Sequence, residues 1–233
     1  MMNDYYSDAS ERFCDLINKS DLTGLPISDY NKRYLNSLLL PSLRYYASIY
    51  SRCFSVLKDA SAPGDMVCVD YGGGCGLLSI YAKLIGIGTV IYIDLNPVSV
   101  SAAGQIFEKV GYGADVLLQG DVPALQEWCQ SNNMVPTHLV SSDVIEHIYD
   151  LNDYFGILHA INPNMSMAFS TASVADNPVK SHHLRKAMIE WERKYFTQRL
   201  AYIQEKFPAL DEQQSTIFAR KTRGLRYCFK KCV

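Results

Sequence analysis

Four stretches of this chain bring together residues suited to ligand chemistry. The first is Asp70-Tyr71-Gly72-Gly73-Gly74-Cys75-Gly76, the pattern D-x-G-x-G-x-G behind the apolar run 67–69. Without a Cβ, glycines let such a turn lie flat against a bound cofactor. The spacing is not the dinucleotide fingerprint G-x-G-x-x-G, and no G-K-[ST] follows, so a triphosphate would lack its cation. The second is Asp94, closing Val90-Ile91-Tyr92-Ile93. An acid at a strand tip can accept hydrogen bonds from both hydroxyls of an adenosine ribose. The third is Gly120-Asp121-Val122, where the carboxylate can accept from an adenine amino group and Val122 offers a backbone N–H. The fourth, Ser141-Ser142-Asp143-Val144-Ile145-Glu146-His147, gathers two acids and an imidazole that titrates near neutral pH. Helix N-capping is the alternative for Asp94 and Asp121, because Pro97 and Pro123 follow near first-turn positions.

These residues need a scaffold that gathers strand ends on one edge. Short apolar runs at 66–71, 89–94, 114–119, 137–142 and 165–170 read as strands. Amphipathic stretches at 77–85, 97–110, 123–132 and 151–160 read as the helices between them. Nearly continuous apolar strands alternating with helices predict a Rossmann-like, doubly wound α/β fold with a mainly parallel sheet. In that fold the glycine turn lies at the carboxyl end of the first strand, where ligands bind. Residues 1–62 are expected to be an N-terminal helical segment capping cofactor or substrate, 63–175 the cofactor-binding core, and 176–233 a helical extension of the same domain. Leu22-Thr23-Gly24-Leu25-Pro26 and Pro41 break the first segment. It is rich in tyrosine, at 5, 6, 30, 34, 45, 46 and 50. Most of these read as packing residues with a wet hydroxyl, while one or two suit a ligand pocket. Residues 178–207 read as one long charged helix, a short helical segment follows Pro208, and the end is basic around 220–226.

Composition narrows the function classes. The chain has 233 residues, 48% of them hydrophobic and 20% charged, with a formal net charge of −2. That suits a substantial core and marks neither a nucleic-acid binder nor a membrane partner. Cysteines at 14, 53, 68, 75, 129, 228 and 232 form no C-x-x-C, and their odd count argues against a disulfide framework. Reduced thiols, an acidic polar start and the absence of a long apolar run point to a cytoplasmic protein.

Taken together, over roughly residues 60–175, these motifs resemble the class I S-adenosylmethionine-dependent methyltransferases. Asp143-Val144-Ile145-Glu146-His147 is similar to the motif after strand four in small-molecule members. The resemblance implies S-adenosyl-L-methionine as cofactor and S-adenosyl-L-homocysteine as product. It implies that the motif opened by Asp70 and Tyr71 binds the cofactor, with Gly72, Gly74 and Gly76 at the amino-acid end. Asp94, with Leu95 beside it, takes the ribose, and Asp121 with Val122 the adenine. Ser142 or Asp143 borders the methionine and methyl end. A sulfonium methyl is already electrophilic, so the protein aligns a nucleophile and excludes water. His147 is the candidate base for an oxygen or nitrogen acceptor, and Glu146 orients it or binds substrate. A positioning role for the whole D-V-I-E-H loop is the other reading.

Three alternatives stand beside transfer to a small molecule. Some quinone-pathway and small-RNA O-methyltransferases look similar here, with E-x-x-E-H holding a divalent cation, and His182-His183 follow later in this chain. Asp143 in place of Glu shortens that reach, and no metal is expected. A nucleic-acid methyltransferase using the basic end lacks an N-P-P-Y-type motif. A non-catalytic adenosyl-ligand binder is the third. No hairpin is evident after the fifth strand, where typical members complete the sheet, and an incomplete edge favours self-association, as in a homodimer.

Overall fold

Strand β1 (Val67–Tyr71) occupies the centre of a five-stranded sheet ordered β3-β2-β1-β4-β5, with every pairing parallel. The other strands are β2 (Thr89–Asp94), β3 (Val116–Gln119), β4 (His138–Ser142) and β5 (Ser166–Ser170). This computed structural model describes residues 2–57, 62–171 and 178–222. The chain divides into two compact units, residues 1–172 and 173–233.

The helices of the first unit are α1 (Met2–Lys19), α2 (Asp29–Tyr34), α3 (Leu43–Val56), α4 (Leu77–Leu84), α5 (Pro97–Val110), α6 (Val122–Ser131) and α7 (Leu151–Ile161). A π-helical turn, Leu35–Leu39, continues α2, and the segment breaks at Pro41 as the sequence predicts. The doubly wound expectation is met: order 3-2-1-4-5 reverses direction between β1 and β4, and such a switch point opens a crevice beyond the strand ends.

Side-chain alternation along the strands builds two cores. Cys68, Val90, Tyr92, Val140 and Ala168 face one side and pack with α1, α3, α4 and α5. Val69, Ile91, Ile93 and Leu139 face the other and pack with Val122, Leu125, Tyr154 and Leu158. Each fully buried branched or aromatic side chain contributes about 1.5–3 kcal/mol, so both faces hold the sheet rigid beneath its loops.

The second unit contains α8 (Pro178–Lys206) and α9 (Glu212–Lys221). Asp211 caps α9 through a reciprocal capping box with Gln214. Arg199 is buried on α8; its Nε donates to the Ala219 carbonyl at 3.0 Å and its guanidinium pairs with Glu192. No strand follows β5 among the described residues, and most of the basic end predicted at 220–226 lies outside them.

Candidate functional site

The glycine turn is held by its own backbone and by β2. Gly72 and Gly73 donate to the Ile93 carbonyl at 2.8 and 3.2 Å, and Gly76 donates to the Gly73 carbonyl at 2.7 Å. The Tyr92 hydroxyl donates to the Gly74 carbonyl at 2.7 Å. Asp94 completes the arrangement: Oδ2 accepts from the Gly74 N–H at 2.9 Å and Oδ1 from the Asn96 N–H at 2.8 Å. Asp94 is therefore not the cap of α5; Asn96 is, accepting from the Val98 N–H at 3.2 Å. Asp121 stands at the N-cap position of α6, yet its side chain makes no capping bond.

The three strand-tip acids Asp94, Asp121 and Asp143 open into one cavity of about 650 Å³. That volume falls within the roughly 300–1,000 Å³ typical of small-ligand sites. Tyr71, Gly72, Gly74, Leu95, Ser142 and His147 share its wall. A narrower chamber of about 40 Å³ adjoins it through Tyr34, Gly72, Gly74, Ser142 and Asp143, and adds Tyr46, Tyr50 and Asp70. Thus ten of the expected site residues converge, while Gly76, Val122 and Glu146 line neither space. Val122, the first residue of α6, is buried in the core.

Only one glycine of the turn would carry a Cβ into open space. A Cβ at Gly72 would lie 2.4 Å from the Val144 side chain, and one at Gly73 2.5 Å from the Tyr92 ring. At Gly76, with φ +76°, it would meet the Phe107 ring at 2.4 Å. At Gly74, with φ +54°, nothing lies closer than the Tyr34 ring edge at 3.9 Å. The first three positions are closed by the protein itself, and Gly74 alone leaves room for a ligand.

The electrostatics favour a cationic guest. Among the described residues, four carboxylates line the two spaces and no lysine or arginine does. Burial pushes the Asp70 carboxyl up to about 7, an effect opposed by hydrogen bonds from Ser79 and reinforced by Asp94. The Ser79 hydroxyl donates to Asp70 Oδ2 at 2.6 Å. Burial likewise raises the Tyr34 and Tyr50 hydroxyls well above their ordinary value, with Asp143 adding to both. Tyr71 is pushed up to about 12, chiefly by burial and next by Asp121.

Beyond β4 the chain bends sharply. Asp143 adopts φ +58°, a left-handed conformation that Asp tolerates better than most residues, and its N–H donates to the Ser170 carbonyl at 2.9 Å. The Ser170 hydroxyl donates to Ser142 Oγ at 2.9 Å. The 3-10 turn Ile145–His147 then places His147 on the cavity wall, exposed, while Glu146 points elsewhere. His182 and His183 are exposed on α8 in the second unit. Among the described residues no group of three or more His, Cys, Asp or Glu is arranged to hold a metal ion.

Sequence reasoning did not single out Asn31, Asn96, Ser99 or Tyr149, which share the wall. Of the tyrosines weighed as pocket residues, Tyr30, Tyr34, Tyr46 and Tyr50 line one space or the other. Their signal was proximity to the turn in sequence.

Residues 50–136 match the family described as ribosomal protein L11 methyltransferase (PrmA). In that stretch the chain is similar to class I S-adenosylmethionine-dependent methyltransferases. It spans β1–β3 and the glycine turn. The relative from Burkholderia thailandensis, named ribosomal protein L11 methyltransferase, is 40% identical over 72 residues, which is 31% of this chain and 24% of the relative. Relatives of the same name from Ralstonia nicotianae and Symbiobacterium thermophilum are 35% and 38% identical over 71 and 66 residues. These are 30% and 28% of this chain, and 24% and 21% of the relatives. The chain therefore spans about a quarter of the length of the relatives it matches. A crystal structure of Thermoplasma acidophilum 1320 aligns at TM-score 0.35 and 16% identity, over 53% of this chain and 59% of that one.

One expectation is corrected. The small-molecule methyl acceptor predicted from the D-V-I-E-H motif is overturned by these relatives, whose name specifies a ribosomal protein as the acceptor. The physical reason for the misreading is placement. Residues 143–147 lie outside the matched segment, so the motif carried an acceptor class that the cofactor-side residues do not encode. Among the described residues no helix is long and apolar enough to cross a membrane.

Proposed function

We propose that this chain is an S-adenosylmethionine-dependent methyltransferase that modifies a nitrogen or oxygen nucleophile on a protein. The observation carrying this reading is the convergence of Asp94, Asp121 and Asp143 on the one cavity that Gly74 leaves open. A ligand with a sulfonium and an ammonium suits carboxylate walls, whereas a pyrophosphate would meet four acids and, among the described residues, neither lysine nor arginine. The protein acceptor is taken from the name of the relatives.

Each group then has a role. Asp94 keeps lone pairs free for ribose hydroxyls beyond the two N–H groups it accepts, and Asp121, uncommitted to capping, faces the adenine. Gly74 lets the cofactor chain cross the turn, and Asp143 with Ser142 borders the reacting end. When bound, S-adenosylmethionine supplies an electrophilic methyl group. His147 accepts the proton of the acceptor nucleophile, and its exposure at the rim keeps it within reach of a group carried on another protein.

Calorimetry with S-adenosylmethionine, followed by transfer of labelled methyl to cell extract protein, tests this. Micromolar binding lost in Asp94→Ala is expected. Binding that survives Asp94→Ala unchanged would defeat the assignment, and binding without any transfer would leave a non-catalytic adenosyl-ligand binder.

A further inference from the structure

Helix α2 carries Tyr30 and Tyr34 onto the cavity wall, yet it is only six residues long. A helix that short is not stable alone and depends on tertiary anchors. Its only fully buried residue is polar: Asn31 is 1% exposed. A buried amide with unmet hydrogen bonds would cost more than the bonds themselves contribute, so its partners are informative. Nδ2 donates to the Val98 carbonyl at 2.9 Å and to Ser28 Oγ at 3.1 Å. Oδ1 accepts from Ser99 Oγ at 3.4 Å and lies 4.0 Å from the Cys75 thiol.

One amide therefore ties three parts of the site: α2, the first turn of α5, and the glycine turn. The arrangement also fixes direction. Asn31 and Tyr34 are three residues apart on α2 and share a helical face. With the amide locked inward, the Tyr34 ring edge lies over the open side of Gly74. The π-helical turn starting at Leu35 follows α2 directly, before α3 begins at Leu43.

We propose that Asn31 is a positioning residue, a latch that sets α2 against α5 so that Tyr30 and Tyr34 wall the cofactor cavity. It touches no reacting atom. Its effect on catalysis rests on the methyltransferase reading above, but its effect on α2 does not.

The test has two arms. In hydrogen exchange on the ligand-free protein, Asn31→Ala is expected to accelerate exchange of residues 29–36 about tenfold while β1 and β2 stay unchanged. Ser99→Ala, which removes one partner and leaves the amide, should accelerate the same residues by a smaller factor, about threefold. Unchanged exchange in both variants overturns the latch. In the second arm, the dissociation constant for S-adenosylmethionine is expected to rise about tenfold in Asn31→Ala, with less than a threefold further rise when the change is made in a Tyr30→Ala/Tyr34→Ala background. A full tenfold rise in that background would mean Asn31 acts independently of the tyrosines and would overturn the proposal. Absence of binding by the unaltered protein would defeat the methyltransferase reading, with the exchange arm still deciding the latch.

Discussion

Replacing Gly76 and Gly74 separately by alanine separates packing from ligand contact within one turn. Both have positive φ, where alanine costs about 1–2 kcal/mol. At Gly76 the new methyl also strikes the Phe107 ring, which is itself buried against Tyr92. Overpacking of that kind adds about 1–3 kcal/mol. Gly76→Ala should therefore lose about 2–5 kcal/mol, a fall of roughly 5–15 °C in melting temperature for a domain of this size. At Gly74 no such clash exists, so the melting temperature should fall by only about 2–6 °C. Its methyl instead enters the cavity, and S-adenosylmethionine affinity should drop at least tenfold, about 1.4 kcal/mol. Scanning fluorimetry and calorimetry on the two proteins measure both quantities. The reasoning fails if Gly76→Ala melts with the unaltered protein, or if Gly74→Ala binds the cofactor normally.

Other substitutions probe the remaining groups. Asp70 has its carboxyl raised from 3.8 to about 7, so the native state keeps a proton that the unfolded chain releases. Its stabilising contribution is complete below about pH 4 and is lost as pH rises through 7. It amounts to about 4 kcal/mol, at about 1.4 kcal/mol for each tenfold change in proton affinity. Asp70→Asn should flatten the dependence of the urea midpoint between pH 4 and 8; parallel curves for the two proteins would refute this. His147→Ala should slow turnover by about a hundredfold or more while cofactor affinity stays within twofold, and normal turnover would return His147 to a structural role. The Tyr154 hydroxyl is buried and has no hydrogen-bond partner among the described residues. Tyr154→Phe should be neutral or stabilise by up to about 1 kcal/mol, and a loss beyond 1 kcal/mol in chemical denaturation would show that the hydroxyl has a partner.

The core fold was legible because burial on both faces leaves a plain mark. Residues such as 90–93 form unbroken apolar runs between helical patterns, and the observed strands begin and end within two residues of those read from the sequence. The acids at 94 and 121 were legible for a related reason. In a parallel sheet every strand ends on the same edge, so an acid closing each strand must meet its neighbours there. Asn31 was not legible, because its burial depends on a contact with Val98, 67 residues away. Neither was the left-handed turn at Asp143, since nothing in Ser141-Ser142-Asp143 marks the bend. Tyr34, Tyr46 and Tyr50 were visible as a cluster, but the faces they turn to the chamber depend on how α2 and α3 settle on the sheet.

The glycine turn itself changes meaning in the process. Three of its four glycines are explained by Val144, Tyr92 and Phe107, so most of the motif encodes how β2, α5 and the loop after β4 pack around the turn. A protein that bound something else at the same edge would need those glycines equally. On the proposed reading the ligand is specified by what surrounds Gly74: an acid on β2 that fixes its N–H, a tyrosine over its open face, and further acids past β3 and β4. Since the segment matching the family description ends at residue 136, it includes the first two acids and omits Asp143 and His147. On the proposed reading, the acids before residue 136 and the tyrosines of α2 bear on the cofactor, whereas His147 on the loop after β4 bears on the acceptor, so the two preferences can diverge separately.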